Sequence, residues 1–415
     1  MKQSIAIEHY SNPEVMKELA RVSQDREVGI VMQGGFFGKR PDIIQYPKEI
    51  EALARKGATS FHISQERWFD PMHLSSESTK REIDALRKGW DLIVDIDCPH
   101  FDYSTLAAET ILEALDVEGV EPQIKFSGNR GWHIAIPFEA FPDKVGKKKT
   151  KDMYGEASEA ILLYLRNIIN KQLWVKIKEK EGDLRKVVER IGKKPTSEDI
   201  SKYIGLDLAL GKPRHLIRAP YSLHEKTGLV SITIDPKDIK KFDRDWAKPE
   251  NIKEINDSFL NPEKVKRGSA LELLGSARIE QRQRELEKSS TGEVTQITEI
   301  EGKVHENKFP PCMKLILNGL TDGRKRGLFA LLNFLKCCNW SWQEIEQTIK
   351  AWNDKNAEPL KEGYIISQLN WHRRNPKKVP PSNCKEYYVE IGICQPDNIC
   401  KSIKNPLSYV KRKKL

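Results

Sequence analysis

No apolar run in this 415-residue chain approaches the roughly 20 residues that a membrane-spanning helix needs. The opening Met1-Lys2-Gln3-Ser4-Ile5-Ala6-Ile7-Glu8 lacks the apolar core of a signal peptide. Hydrophobic residues make up 38% and charged residues 31%, so a soluble, cytoplasmic, monomeric protein with no membrane partner is expected. No internal repeat period is present, which argues against a solenoid. Cysteine is scarce where the chain begins: Cys98 stands alone in the first 300 residues. Cys337-Cys338 lie inside a helical pattern, and the remaining four, Cys312, Cys384, Cys394 and Cys400, are C-terminal. A reducing cytosol disfavours disulfides among them, and metal or cluster ligation is the better reading.

Net charge is also absent from most of the chain. Residues 301–415 hold 21 Lys and Arg against 11 Asp and Glu, while the other 300 residues hold 49 of each. The whole excess of +10 therefore sits in the last quarter. A basic excess so placed attracts polyanions, nucleic acid first, although a lysine-rich solvated surface would look the same by charge alone.

What is present begins with Asp91-Leu92-Ile93-Val94-Asp95-Ile96-Asp97. Its Ile and Val content predicts a short buried strand. Strand side chains alternate, so Asp95 and Asp97 share a face. Two carboxylates so close repel unless a cation lies between them, and hard divalent ions such as Mg²⁺ or Mn²⁺ take oxygen ligands. Metal-dependent phosphoryl or nucleotidyl transfer follows as the first hypothesis. Nucleases, glycosyltransferases and plain strand ends also carry Asp-x-Asp.

Upstream, Val15, Met16, Leu19 and Val22 repeat at helical spacing, Gly29 to Gln33 and Ser60–Ser64 read as strands, and residues 79–89 read as a short helix. Downstream, Thr105–Leu115 reads as a helix. Ile124-Lys125-Phe126-Ser127-Gly128-Asn129-Arg130-Gly131-Trp132-His133-Ile134 then reads as strand, glycine turn, strand. Ser127, the amides around Gly128 and Gly131, Arg130 and His133 would make a phosphate cradle, or an ordinary hairpin with a surface arginine. Further on, Asp207 sits between leucines, and a strand carrying Arg218 precedes His224 and a Lys226-Thr227-Gly228 turn. His224 alone would read as a satisfied structural histidine. Residues 264–304 are polar and loop-like and read as a linker. In 305–415, Leu328, Leu331, Leu332 and Leu335, then Trp342, Ile345, Ile349 and Trp352, form helical stripes that read as core.

Asp95-Ile96-Asp97, Ser127-Gly128-Asn129-Arg130-Gly131-Trp132-His133, and Asp207 followed by Leu216-Ile217-Arg218-Ala219-Pro220-Tyr221-Ser222-Leu223-His224-Glu225-Lys226-Thr227-Gly228 together resemble the catalytic small subunit of archaeal and eukaryotic primases. Arg26-Glu27-Val28 is similar to that family's Arg-Glu-Phe, with Val28 in place of Phe, and the resemblance spans roughly residues 8–240. Phe309-Pro310-Pro311-Cys312-Met313, Leu331-Leu332-Asn333-Phe334-Leu335, the later cysteines and Asn405-Pro406-Leu407-Ser408-Tyr409 resemble the iron–sulfur domain of the primase large subunit. The chain thus resembles a fusion of the two subunits. The implied fold is α+β: a mixed-sheet primase catalytic domain over 1–263, the linker 264–304, and a mostly α-helical iron–sulfur domain over 305–415.

The resemblance implies that Asp95, Asp97 and Asp207 are catalytic and hold Mg²⁺ or Mn²⁺. It also implies that Ser127, Gly128, Arg130, His133, Arg218 and His224 bind the nucleotide, with Arg26 and Lys226 as further candidates near that charge. Cys312, Cys384, Cys394 and Cys400 would hold a [4Fe–4S] cluster. Four thiolates also suit Zn²⁺, and the gap from Cys312 to Cys384 fits neither common zinc nor ferredoxin spacing. The family's zinc knuckle is expected to be lost, since only Cys98 and His100 stand near its place. The implied activity is de novo primer synthesis on single-stranded DNA. Its partners would be nucleoside triphosphates, the RNA or DNA primer duplex, and a replicative helicase or polymerase. Primase-like end extension or repair, and non-catalytic nucleic-acid binding, are the alternatives.

Overall fold

The computed structural model describes residues 2–75, 77–146, 148–192, 200–203, 207–208, 214–289, 300, 302–374, 378, 381–389 and 392–414. Two compact units divide the chain, Met1–Ala277 and Arg278–Leu415. No described helix is long and apolar enough to cross a membrane.

The first unit is built on two antiparallel sheets. One has three strands in the order Val28–Met32, Ala58–Ser64, Leu216–Arg218. The other has five, in the order Asp207–Leu208, Leu92–Asp97, Gly131–Ile136, Gln123–Phe126, Thr233–Ile234. Apolar spacing dictates the supporting helices. Pro13–Ser23 buries Val15, Met16, Leu19 and Val22, and Asn12 caps it by accepting from the Glu14 amide at 3.0 Å. Behind the larger sheet, the helix Phe101–Val117 packs on the Gly131–Ile136 strand and on the long helix Glu156–Glu181. Ile96, Trp132 and Phe126 are aligned across the strands and fully buried, and Phe101 and Phe242 close over Trp132 and Phe126. That apolar face frees the alternate positions, Asp95 and Asp97 among them, for the opposite face.

Two expectations change. The stretch 79–89 is helical only over Lys80–Leu86. From Arg87 it becomes a strand, Arg87–Trp90, paired with Glu66–Trp68, because Arg87 and Trp90 are pulled into the core, Arg87 by the buried carboxylate of Glu66. Within the stretch 264–304, Leu271–Ser289 is a helix, and Leu273, Leu274 and Ala277 are buried in the first unit's core.

The second unit is helical: Pro311–Leu317, Arg324–Cys337, Trp342–Asn353, Glu362–Arg374 and Pro406–Lys414. Leu328, Leu331, Leu332, Leu335, Ile345, Ile349 and Trp352 form its core with Phe309. Ser341 and Glu344 make a capping box that starts the third of these helices.

Candidate active site

The acidic strand Leu92–Asp97 pairs with Gly131–Ile136 so that Asp95 lies opposite His133 and Asp97 opposite Gly131. On the far side of the hairpin, His133 lies opposite Lys125, and Lys125 opposite Thr233. Directly paired residues share a face, so Asp95, His133 and Lys125 form one row across the sheet. Asp207 is the register partner of Asp97 on the remaining side. Its side chain lies outside the description.

Two glycines make this pairing possible. A Cβ on Gly131 would sit 2.0 Å from the Ile96 carbonyl oxygen, so any other residue would prise the acidic strand from its partner. Gly128 has φ +93°, and a Cβ there would come within 2.9 Å of the His224 Cβ. The Ser127 hydroxyl oxygen accepts from the amides of Asn129 at 3.4 Å and Gly131 at 3.1 Å, bracing the turn. Arg130 lies at the tip, about half exposed, and donates to both Asp97 oxygens at 3.3 and 3.4 Å.

Inside the row, His133 Nε2 is 3.4 Å from Asp95 Oδ1. Burial, reinforced by Lys125, holds the imidazole below its ordinary range. Burial works to raise the Asp95 carboxyl, but His133 first and Lys125 beyond it hold it low. The two directions agree if His133 is neutral and acts on Asp95 through its Nε2–H. His133 Nδ1 is buried with no hydrogen-bond partner in the structure. Lys125 is fully buried, donates to Ser231 Oγ at 2.7 Å and lies over the Phe259 ring at 5.4 Å. Burial pushes its ammonium well below the ordinary range, and Arg218 acts in the same direction.

The smaller sheet brings the second set of groups. Its central row runs Gly29, His62, Arg218. Arg218 donates to the Leu223 carbonyl at 2.6 Å and grips Glu225 through both guanidinium ends, at 3.2 and 2.8 Å. Ser60 also donates to Glu225, and His62 Nε2 lies 3.5 Å from it. Burial opposes the Glu225 charge, but His62 and Arg218 hold its carboxyl far below the usual range. Burial, with Arg218 adding to it, pushes His224 down to about 4. Thr227 donates to the Gly128 carbonyl at 2.6 Å, tying the Lys226-Thr227-Gly228 turn to the glycine hairpin of the other sheet. Strand pairing and these contacts thus place Asp95, Asp97, Ser127, Gly128, Arg130, His133, Arg218 and His224 on neighbouring parts of the two sheets.

Arg26 is not part of this set, contrary to expectation. The side chain is 3% exposed, pairs with Asp91 and donates to the carbonyls of Ser64 and Gln65. A guanidinium so enclosed holds two strands together and does not reach a ligand. Lys226 lies exposed on its turn, with its backbone amide directed at His224 Nδ1. Sequence reasoning passed over Lys125, His62 and Glu225. Lys125 stood within the strand before the glycine turn with no role assigned, and nothing local links His62 to Glu225 across 163 residues.

In the second unit, Cys312 is buried and Cys384 and Cys394 pack against the core. Burial first, then the neighbouring thiols Cys384, Cys394 and Cys400, push Cys312 up to about 12. Four cysteines separated by up to 88 positions thus influence one another's ionisation. Among the described residues, no three His, Cys, Asp or Glu side chains are already arranged to hold a metal ion.

The relatives of this mixed helix-and-strand chain support a nucleotidyltransferase enzyme. Residues 98–236 match the family model described as DNA primase small subunit. The match starts just after Asp97 and takes in the glycine hairpin, Asp207, Arg218 and His224. The chain is 27% identical over 281 residues to the DNA primase small subunit PriS of Archaeoglobus fulgidus, covering 57% of this chain and 79% of that one. It is 28% identical over 185 residues to PriS of Pyrobaculum aerophilum, covering 39% of this chain and 57% of the relative. Among solved structures, the polymerase domain of Mycobacterium tuberculosis ligase D in complex with DNA aligns with a TM-score of 0.37 at 15% identity, covering 71% of this chain and 93% of that one. Homology to primase small subunits supports a primase or primase-polymerase function.

Proposed function

We propose that the chain is a single-polypeptide primase that starts primers de novo on single-stranded DNA. The observation that carries the proposal is the convergence just described: paired strands set Asp95 beside His133 and Asp97 beside Arg130, and Thr227 ties the Arg218–His224 segment to the same hairpin.

Asp95, Asp97 and Asp207 would hold Mg²⁺ or Mn²⁺. When bound, such ions supply Lewis-acid stabilisation of in-line displacement at an α-phosphate. The chain's own residues do the rest. Neutral His133 donates to Asp95 and so keeps that carboxylate charged and oriented. Arg130, free to leave its exposed pair with Asp97, and Arg218 together offset the triphosphate charge and set its position. Ser127 holds the turn so that its amides face the phosphates. His224, neutral through burial, offers a hydrogen bond and no charge. In the second unit, Cys312, Cys384, Cys394 and Cys400 would hold a [4Fe–4S] cluster, with Zn²⁺ as the alternative occupant, and the basic surface would grip the initiating nucleotide and the template.

The test is synthesis on unprimed single-stranded DNA with ribo- and deoxynucleotides in separate reactions. Asp95→Ala or Asp97→Ala is expected to lower the rate at least about 10³-fold, since lost transition-state charge stabilisation costs several kcal/mol. Template binding should stay nearly intact. Substantial synthesis by either purified variant would overturn the assignment.

A further inference from the structure

After the strand Val28–Met32 the chain turns through Gly34 and Gly35, both at positive φ, and runs back along itself. Met32 donates to the Phe36 carbonyl at 3.0 Å, and Gly38 to the Ile30 carbonyl at 2.8 Å. This tight hairpin presents two consecutive aromatic rings to solvent, Phe36 at 61% exposure and Phe37 at 51%. Folding normally hides such rings, and here backbone hydrogen bonds hold them out.

The position of Phe37 is built. Its ring lies against Gly29, where an added Cβ would come within 2.4 Å of Leu216 Cδ1 and 3.1 Å of the Phe37 ring, so the bare glycine makes room for both. Its edge meets His62 with ring centroids 5.3 Å apart. His62 is the register partner of Arg218 and neighbours Glu225. Phe37 is therefore continuous with the row that carries Arg218, and Phe36, whose ring lies by Gly34, directly precedes it. Lys39, exposed, follows after Gly38.

We propose that Phe36 and Phe37 form a stacking platform for unpaired bases of the single-stranded template. The proposal rests on the primase reading and adds a subsite to it. Every base has a π-face, so aromatic stacking binds single strands without regard to sequence, and a nearby cation serves the backbone phosphates. Two rings in succession followed by a lysine match a strand, which offers successive bases joined by phosphates. A nucleoside triphosphate offers a single base and so could occupy only one of the two rings.

The full chain should be compared with Phe36→Ala/Phe37→Ala by fluorescence anisotropy at matched salt. The probes are an oligothymidylate and an oligonucleotide of equal length whose residues are abasic. One stacked base contributes roughly fivefold to a hundredfold in affinity. The double variant should lose at least fivefold for the oligothymidylate and nothing for the abasic strand, and Phe37→Trp should bind like the parent. Thermal unfolding checks that the variant is folded. If it is not, Phe36→Ala alone, which removes only the more exposed ring, must show the same selective loss. Unchanged oligothymidylate binding, or an equal loss on the abasic strand, overturns the platform. So does a raised nucleotide KM with oligothymidylate affinity intact, which would place the incoming base there. Primer extension by the parent is measured alongside. If the parent extends nothing, the primase reading fails. If it extends while the Phe variants bind normally, the platform alone fails.

Discussion

At the scale of single residues, the central finding is that the candidate site's cations are already engaged by carboxylates of the same chain. Arg218 is held by Glu225 and Arg130 by Asp97. Only the first pair is well enclosed, with Arg218 at 10% and Glu225 at 25% exposure, and a charge-assisted bidentate pair of that kind competes with any incoming phosphate. Arg218→Ala should therefore raise the KM for nucleotide and lower kcat, and Arg218→Lys should recover little, because an ammonium cannot reproduce the planar fork. Glu225→Gln should act in the opposite sense on binding. With its competitor neutralised, Arg218 should bind nucleotide more tightly, lowering KM by about threefold to tenfold, of the order of one ordinary net hydrogen bond of about 1 kcal/mol. Steady-state kinetics at limiting nucleotide separate these outcomes, and an unchanged or raised KM for Glu225→Gln would show that Glu225 orients Arg218 for substrate instead of competing with it.

At the scale of elements, the acidic strand, the glycine hairpin and the strand before His224 were all legible, because period-2 apolar alternation and glycine pairs act locally. Pairing partners and buried charges were not legible. Arg26 looked like a ligand-binding arginine in sequence, yet it belongs to a buried knot in which Asp91 accepts from Arg26 and Arg67, and Arg67 also grips Glu139. Nothing local ties Arg26 to Asp91, which are 65 residues apart. The knot fixes the root of the acidic strand, since Asp91 directly precedes Leu92 and also accepts from the Phe138 amide at 2.8 Å. Burial would raise the Asp91 carboxyl, but Arg67 and Arg26 bring it down to about 2. Its folded value thus lies below its unfolded one of 3.8. The unfolded chain binds the extra proton between those values, so this contribution is fully present above about pH 4 and fades as pH falls to about 2, amounting to about 2 kcal/mol. Asp91→Asn leaves two guanidinium groups short of a counter-charge and should cost about 3–5 kcal/mol at neutral pH. Denaturant unfolding at pH 7 and pH 3 checks both parts. The parent should lose stability between them through this group, and the difference between parent and variant should narrow at the lower pH. A gap that stays constant would exclude Asp91 as the source.

At the scale of the whole molecule, the proposed function would divide starting a primer from lengthening one between the two units. The first unit has its own core and the full set of candidate-site residues, and the second gathers the four cysteines and nearly all the excess positive charge. At the first bond no primer duplex exists, so two nucleotides and a template must be held together. The site proposed in the first unit would position one nucleotide. A second, basic module covalently joined to it raises the local concentration of the other. Once several base pairs have formed, duplex contacts replace that grip. A chain ending near residue 300 should therefore extend an annealed primer yet fail to start one. Cys384→Ser or Cys400→Ser in the full chain should show the same split, since loss of a cluster ligand loosens a small metal-dependent fold. The full-length protein should be brown, with absorbance near about 400 nm, if the thiols hold iron and sulfide, and colourless if they hold zinc. Parent, truncated chain and cysteine variants are to be assayed on primed and unprimed template at one salt concentration, because polyanion binding is strongly salt-dependent. Equal initiation by the truncated and full-length chains would remove the second unit from the first bond and leave its basic charge to serve template binding during extension.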